Sequence, residues 1–270
     1  MMRCNKHHEA HMSSDGTAMG PRIAALFRYP VKGLSPEAMT RVGVEQGATL
    51  PLDRAWAIEN GPGRFDPESP KHLPKIHFLM LMRDERLATL QSRLEPDNET
   101  LVILRDGKQV ARGNLTTPIG RQLVEQFMAA YMQASLRGAP KIVFADGHSF
   151  SDMAAKCVHI INLASVRDLE RIMGRSLDPL RFRANIILEG VPAWEELGWL
   201  GRSMTVGEVR MSVFHRTRRC DATNVDPQTG VRDTAIPAVL QRAFGHADFG
   251  VYARVETAGE LAVGSAVRVE

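Results

Sequence analysis

The chain has 270 residues, a formal net charge of +3, 44% apolar and 24% charged residues, the balance of an ordinary globular protein with a real core. A charge this small gives no case for nucleic-acid binding, and no run of about 18 apolar residues offers a membrane span. Three cysteines, Cys4, Cys157 and Cys220, without a C-x-x-C argue against a disulfide framework or a cysteine-rich zinc site, and a reducing cytoplasm is the expected location.

The first stretch, MMRCNKHHEAHMSSDGTAMG, has no apolar h-region and is not a secretory signal. Residues 1–20 are expected to form a disordered tail, or to precede a later start at Met12 or Met19. RIAALFRYPVKG, from Arg22, reads as a strand broken at Pro30 and followed by a loop with Gly33. RVGVEQG and RAWAIEN read as two further strands, and GPGRFDPESPKHLPK as a long loop. MRDERLATLQSRL is predicted helical. TLVILRDGKQVARG is a hairpin turning at Asp106-Gly107. Thr117 caps a helix from Pro118 to about Ala134. Its Leu123, Phe127 and Tyr131 share one face, expected to be core packing.

KIVFADG and CVHIINL read as strands. A helix, ASVRDLERIMG, follows with Ser165 as a cap. RFRANIILEG and EVRMSVFHR read as strands, PAVLQRAFG as a short helix ending at Gly245, and the last 23 residues as two or three closing strands. Many short strands with few helices predict a β-rich, barrel-containing α+β protein. A domain change is expected near residues 140–150.

Cys220 stands in RTRRCDATNVDPQTG, directly after Arg216, Arg218 and Arg219. A thiolate is both nucleophile and metal ligand, and positive neighbours favour it. Strand alternation would put Arg218 on the face of Cys220, while Asp221 would pair with an arginine. A buried inert cysteine is the competing reading. VDPQTG is a tight turn. Lys32, beside Gly33, suits an anion, or is a solvated loop lysine. Asp53-Arg54 reads the same way, or as a structural pair. Arg181, Arg183 and Asn185 in RFRAN would share one strand face as a phosphate fork, or form an exposed basic strand. GHSFSDM is a polar turn that caps a helix or offers N–H groups to an anion. No G-x-S-x-G, H-E-x-x-H, G-x-G-x-x-G or G-x-x-x-x-G-K-[ST] occurs. The residues alone thus describe an anion pocket that touches a thiolate.

From Arg22 to Glu270 the ordered segments resemble the MOSC superfamily, named for the C-terminal domain of molybdenum cofactor sulfurase. YPVKG and LDRAW resemble its N-terminal β-barrel region, expected over residues 21–140. HSFSD, INLASV, RFRANI, PAWEE, GWLG, VGEVR, RRC, VDPQTG and VYARV…LAVGSAVRV resemble the MOSC domain in order, expected over residues 141–270. The implied fold is a MOSC β-barrel core with a β-rich N-terminal region packed against it.

The resemblance implies a molybdenum cofactor, with molybdopterin carrying the metal and Cys220 as catalytic residue and metal ligand. Lys32 and Arg54 would approach its phosphate. Ser151, Asn162, Arg183, Asn185, Arg219 and Tyr252 would line the cofactor. The amidoxime-reducing members have Ser directly after the motif lysine, where this chain has Gly33. Either Ser35 compensates or one phosphate contact is lost. The implied activity is reduction of N-hydroxylated small molecules. Electrons would come from a separate ferredoxin-type or cytochrome/flavin-type donor. No iron–sulfur cluster or pyridoxal phosphate is expected, and no nucleic-acid or membrane partner. The alternatives are a sulfur carrier using a Cys220 persulfide, and a non-catalytic protein that binds or delivers the cofactor.

Overall fold

Pro30 has no N–H to give a sheet ladder, so the first strand stops before it. That strand, β1 (Arg22–Arg28), is followed by β2 (Glu37–Met39), β3 (Arg41–Val44) and β4 (Trp56–Glu59). These come from a computed structural model that describes residues 20–270. The expected N-terminal tail, apart from Gly20, lies outside the described residues, and so does Cys4. A second group of strands is β5 (Gln91–Leu94), β6 (Thr100–Arg105) and β7 (Lys108–Asn114). Asp106 and Gly107 turn β6 into β7 with φ of 51° and 73°, the left-handed pair that a two-residue hairpin needs.

Helix α1 (Pro118–Tyr131) starts as expected: the Thr117 side chain accepts the Gly120 N–H at 3.1 Å. Its face is a correction. The buried side is Gly120, Val124, Met128 and Tyr131, whereas Leu123 is 52% exposed. Spacing found a stripe, but the close approach of Gly120 to β7 turned the helix onto its other edge. The expected helix at MRDERLATLQSRL is a 3-10 turn, Glu85–Thr89, followed by β5. The four-residue β5 ladder with β6 claims the second half of that segment.

The later half contains β8 (Lys141–Phe144), β9 (Val158–Asn162), α2 (Leu163–Met173), β10 (Ile186–Glu189), β11 (Ser203–Val206) and β12 (Val209–Arg218). It closes with α3 (Ile236–Phe244), β13 (Asp248–Val255), β14 (Gly259–Ala262) and β15 (Val267–Val269). Eight strands form one sheet in the order β15-β11-β12-β13-β9-β10-β1-β2. β9 and β10 are its parallel pair, joined through α2. β3 pairs with β14, and β4 with β8. The protein is thus β-rich, with a large sheet and an N-terminal β-barrel region, and strands of the first half add to the sheet of the second.

The expected strand through RFRAN is a further correction. Residues Pro179–Phe182 form a 3-10 turn, and Arg183 follows at φ 52°. Pairing begins only at Ile186. Strand alternation therefore does not apply to Arg181, Arg183 and Asn185.

Two apolar clusters hold the elements. One packs Ile23 and Leu26 of β1 with Val158, Ile160, Val213 and Val251 of the large sheet. The other packs Val31 and Leu34 under β6 and α1. Between Arg28 and Arg54 the chain leaves one cluster and enters the other, which is where the site lies.

A Cβ on Gly120 would stand 2.0 Å from the Asn114 carbonyl oxygen. Overpacking of this kind costs on the order of 1–3 kcal/mol. Gly120→Ala is expected to lower Tm by roughly 5 °C. Gly43→Ala, where nothing lies within 4 Å, should leave the melt almost unchanged.

Candidate functional site

A cleft of about 810 Å³, open to solvent, runs between the two halves. From the first half come Lys32, Gly33, Asp53, Arg54 and Lys75. From the second come Ser151, Asp152, Cys157, His159, Arg183, Asn185, Arg219, Cys220 and Tyr252. Each of the sequence-derived residues Lys32, Arg54, Ser151, Arg183, Asn185, Arg219, Cys220 and Tyr252 lines it. Asn162 does not. It ends β9, and its side-chain oxygen accepts the Ala164 N–H at 3.0 Å, while its nitrogen donates to Pro192 O at 2.8 Å. Asn162, not the expected Ser165, caps α2. Ser165 instead donates to the buried Glu196 carboxylate at 2.7 Å.

Tyr29, fully buried, lies beneath two of the lining arginines. Arg54 lies over its ring at 4.5 Å and Arg183 at 4.3 Å. Both arginines have left-handed φ, 53° and 52°. Such strain persists only where surrounding structure fixes it, and it gathers at functional sites. Asp53 supplies that structure for Arg54. It pairs with the Arg54 guanidinium and accepts the Tyr29 N–H at 2.9 Å. Arg54 also donates to Arg183 O at 2.9 Å. Burial works against the Arg54 charge, but Asp53 more than restores it, and its pKa lies above the ordinary value.

Arg183 and Arg219 have no such partner. Arg183 donates to Leu34 O at 2.8 Å, and Arg219 to Phe182 O at 2.8 Å. Among the described residues neither forms an ion pair. Burial pushes Arg183 down to about 10, with Arg54 repulsion adding to it. Burial also lowers Arg219, whose buried Nε has no hydrogen-bond partner. Two unpaired guanidiniums in a sheltered wall are costly unless an anion joins them. A third arginine, Arg181, is 4% exposed. It is held by Asp226 and Asp233, each at 2.8 Å. Its role is to fasten the turn after Cys220.

That turn explains VDPQTG. Asp226 accepts N–H groups from Gln228 at 3.0 Å and Thr229 at 2.8 Å. Gly230 sits at φ 70°, where a Cβ would meet Thr89 at 2.8 Å. The turn therefore presses on the first half of the chain.

Cys220 is half-buried. β12 ends at Arg218, which points to solvent, so Cys220 and Arg218 do not share a strand face. Arg216 donates to Leu197 O at 2.8 Å. Of the three preceding arginines only Arg219 reaches the cleft. Among the described residues Asp221 pairs with no arginine side chain; its carboxylate accepts from Asn224 at 3.1 Å. The cation beside the sulfur is Lys75, with Nζ 3.4 Å from Cys220 Sγ and 3.2 Å from Asp152. Asp152 also meets Lys32 at 2.5 Å. Burial disfavours the Asp152 charge, but Lys32 and Lys75 hold it well below the usual carboxylate range. Lys32 is lowered by burial despite that partner.

Gly33 has φ 85°, and a Cβ would stand 3.1 Å from Leu79 O, so this loop is built for glycine. Ser35 does not replace a missing hydroxyl in the cleft. It donates to Leu90 O at 2.9 Å and accepts from Ser92 N at 3.0 Å. Ser151 lines the wall while bonded to Met153 at 2.8 Å.

Lys75, Cys157 and His159 were not found from sequence. Lys75 ends a Gly/Pro-rich loop with no periodicity. Cys157 and His159 alternate inward in CVHIINL, a signal strand spacing does contain. His159 packs 5.1 Å from the Tyr252 ring and lies 3.3 Å from Arg219. Burial, then Arg219 and Arg54, push it well below its ordinary value. Burial raises Cys157 to about 12.

Comparison with known proteins gives two family-model matches that together span most of the chain. The family model of the MOSC domain matches residues 142–268, and that of the MOSC N-terminal beta barrel domain matches residues 20–139. Mitochondrial amidoxime reducing component 2 of Rattus norvegicus is 32% identical over 41% of this chain and 36% of its own length. Mitochondrial amidoxime-reducing component 1 of Mus musculus is 22% identical over 91% of this chain and 81% of its own. Molybdenum cofactor sulfurase of Homo sapiens is 24% identical over 87% of this chain and 30% of its own. The match thus spans about a third of the rat and human proteins.

Two outcomes are expected of the site. Iodoacetamide should label Cys220 in the folded protein and spare Cys157, read by peptide mass spectrometry; equal labelling would contradict the burial. His159 should stay neutral in the folded chain. The unfolded chain takes up that proton below about pH 6.5, so stability falls as pH drops from there. The Tm loss between pH 7.5 and 5.5 should shrink in His159→Gln.

Proposed function

The chain belongs to the MOSC family, and on that basis we propose that it is a molybdenum cofactor-dependent oxidoreductase that reduces N-hydroxylated compounds. The observation that carries this reading is the pair Arg183 and Arg219, two sheltered cations without carboxylates, in the same cleft as the Cys220 thiol.

The residues suit a molybdopterin-type group. Its phosphate needs charged donors, and Arg54, Arg183 and Arg219 present them, with the unpartnered Arg219 Nε still to be satisfied. Molybdenum takes soft sulfur, and Cys220 is the soft donor in the cleft. No group of three or more His, Cys, Asp or Glu able to hold an ion occurs among the described residues. The metal would therefore arrive with its own organic ligand. When bound, the cofactor supplies the electron transfer.

The residues of the chain do the rest. Tyr29 orients Arg54 and Arg183 from below. Asn185 accepts the His159 N–H at 3.1 Å and donates to Phe27 O at 3.1 Å, which locks the two halves at the cleft floor. Lys75 sets a positive charge beside the sulfur. In the reaction an N–OH compound takes two electrons and two protons. The N–O bond breaks, oxygen leaves as water, and the parent amidine or amine remains. Electrons come from a separate ferredoxin-type or cytochrome/flavin-type reductase.

The first test is metal content. Expressed in a host that makes the cofactor, the wild-type protein should carry near-stoichiometric molybdenum and pterin. Cys220→Ala should lose most of the metal. Wild-type protein with neither would sink the proposal, and a persulfide on Cys220 would then favour sulfur transfer. A second test needs no cofactor. Inorganic phosphate should raise the Tm of cofactor-free protein by mass action, and Arg183→Ala should abolish the rise.

A further inference from the structure

Every exposed residue of α1 is uncharged: Pro118, Ile119, Gln122, Leu123, Gln126 and Ala130. Ile119 is 70% exposed and Leu123 52%. The two charged residues of the helix are half-buried and engaged. Arg121 donates to Leu115 O, and Glu125 accepts the Ile142 N–H. An ordinary surface helix carries charge on its outer face. Apolar exposure without charge is the mark of an interaction surface.

At its C-terminal end α1 borders an open hollow of about 420 Å³, lined by Arg86, Arg105, Phe127 and Tyr131. Phe127 stacks on Tyr131 with ring centres 5.5 Å apart. Arg86 lies over the same tyrosine at 4.5 Å and Arg105 at 5.2 Å. Among the described residues no carboxylate pairs with Arg86, and Arg105 meets only Asp106, at 3.5 Å, whose side chain is 87% exposed. An exposed pair of that kind is worth little.

The hollow lies one 3-10 turn from the cleft. Arg86 stands on the turn Glu85–Thr89. The same turn meets the cleft wall: Leu87 Cδ1 is 3.2 Å from where a Gly33 Cβ would stand. Thr89 touches Gly230, in the turn after Cys220, and its hydroxyl is 2.6 Å from that of Tyr131.

We propose that the open face of α1 and the arginine hollow dock the electron donor, an acidic protein of the ferredoxin type. The inference rests on the reductase reading for the need of a donor. Charge and size name the occupant. Arg86 and Arg105 call for carboxylates, and α1 offers an apolar strip beside them. The helix is about 21 Å long and about 10 Å across, a strip of roughly 200 Å². Even with the hollow this falls short of the roughly 800 Å² per partner of a standard interface. It suits a brief encounter steered by charge rather than a permanent second copy. Each N–OH molecule reduced takes one electron from each of two reduced ferredoxins and two protons from water. Both ferredoxins leave oxidised, and the N–O oxygen leaves as water.

The probe is a plant-type ferredoxin, whose surface is acidic, titrated by calorimetry into the cofactor-loaded protein at low salt. Binding should weaken about tenfold in the double variant Arg86→Glu/Arg105→Glu, the scale of two lost surface ion pairs. It should weaken also in Leu123→Asp. Arg268→Glu, an exposed site on β15, should bind as the wild type does. No binding to the wild type, or equal binding by the double variant, overturns the proposal. In turnover of acetamidoxime the double variant should lose rate with ferredoxin and keep it with methyl viologen, which needs no docking. Equal loss with both donors overturns the proposal. If the wild type reduces nothing with methyl viologen, the reductase reading fails, and calorimetry alone decides the docking surface. A wild-type dimer in sedimentation that Leu123→Asp splits gives the face to a second copy and overturns the proposal. Should the double variant lose its fold, Leu123→Asp is read in its place.

Discussion

Two guanidiniums rest on one buried phenol ring. Arg54 and Arg183 both stack on Tyr29, and only Arg54 has a carboxylate to balance it. Like charges this close raise each other's cost in a medium poorer than water. The cleft is therefore a site of deliberate charge imbalance. Burial lowers the pKa of Arg183 and Arg219, and Arg54 adds to it at Arg183. The sheet, the turn after Cys220 and the Asp53 pair hold this arrangement against its own repulsion.

A cofactor phosphate would restore the balance. Arg183 carries that imbalance: its guanidinium donates to the Leu34 carbonyl and, among the described residues, meets no carboxylate.

Much of this was legible in the sequence, though by different routes. Punctuation at Pro30, Asp106-Gly107, Thr117 and Gly245 placed element ends because those residues act locally. Cys220, Arg54 and Arg183 stood out by residue type and neighbours, and the order of motifs then supplied the roles expected of them. RFRAN misled because a 3-10 turn and a left-handed arginine replace strand alternation, and no local signal announces either. Asn162 shows a different limit. A polar residue at a strand end reads equally as a ligand or as a helix cap, and the helix that begins at Leu163 takes it. Lys75 was invisible because the loop that carries it has no period. Its meaning depends on Cys220, 145 residues away.

The large sheet joins Arg22 to Glu189, and β3 waits for β14 near residue 260. Contacts this distant in sequence form late, after the local hairpin and helix. On the ribosome the first half emerges with β1 paired only to β2 and with β3 unpartnered, because β10 and β14 follow much later in the chain. The walls of the cleft come together only when that closing third has been synthesised. A group that belongs in the cleft therefore finds its full set of partners only once the chain as far as Tyr252 has been made.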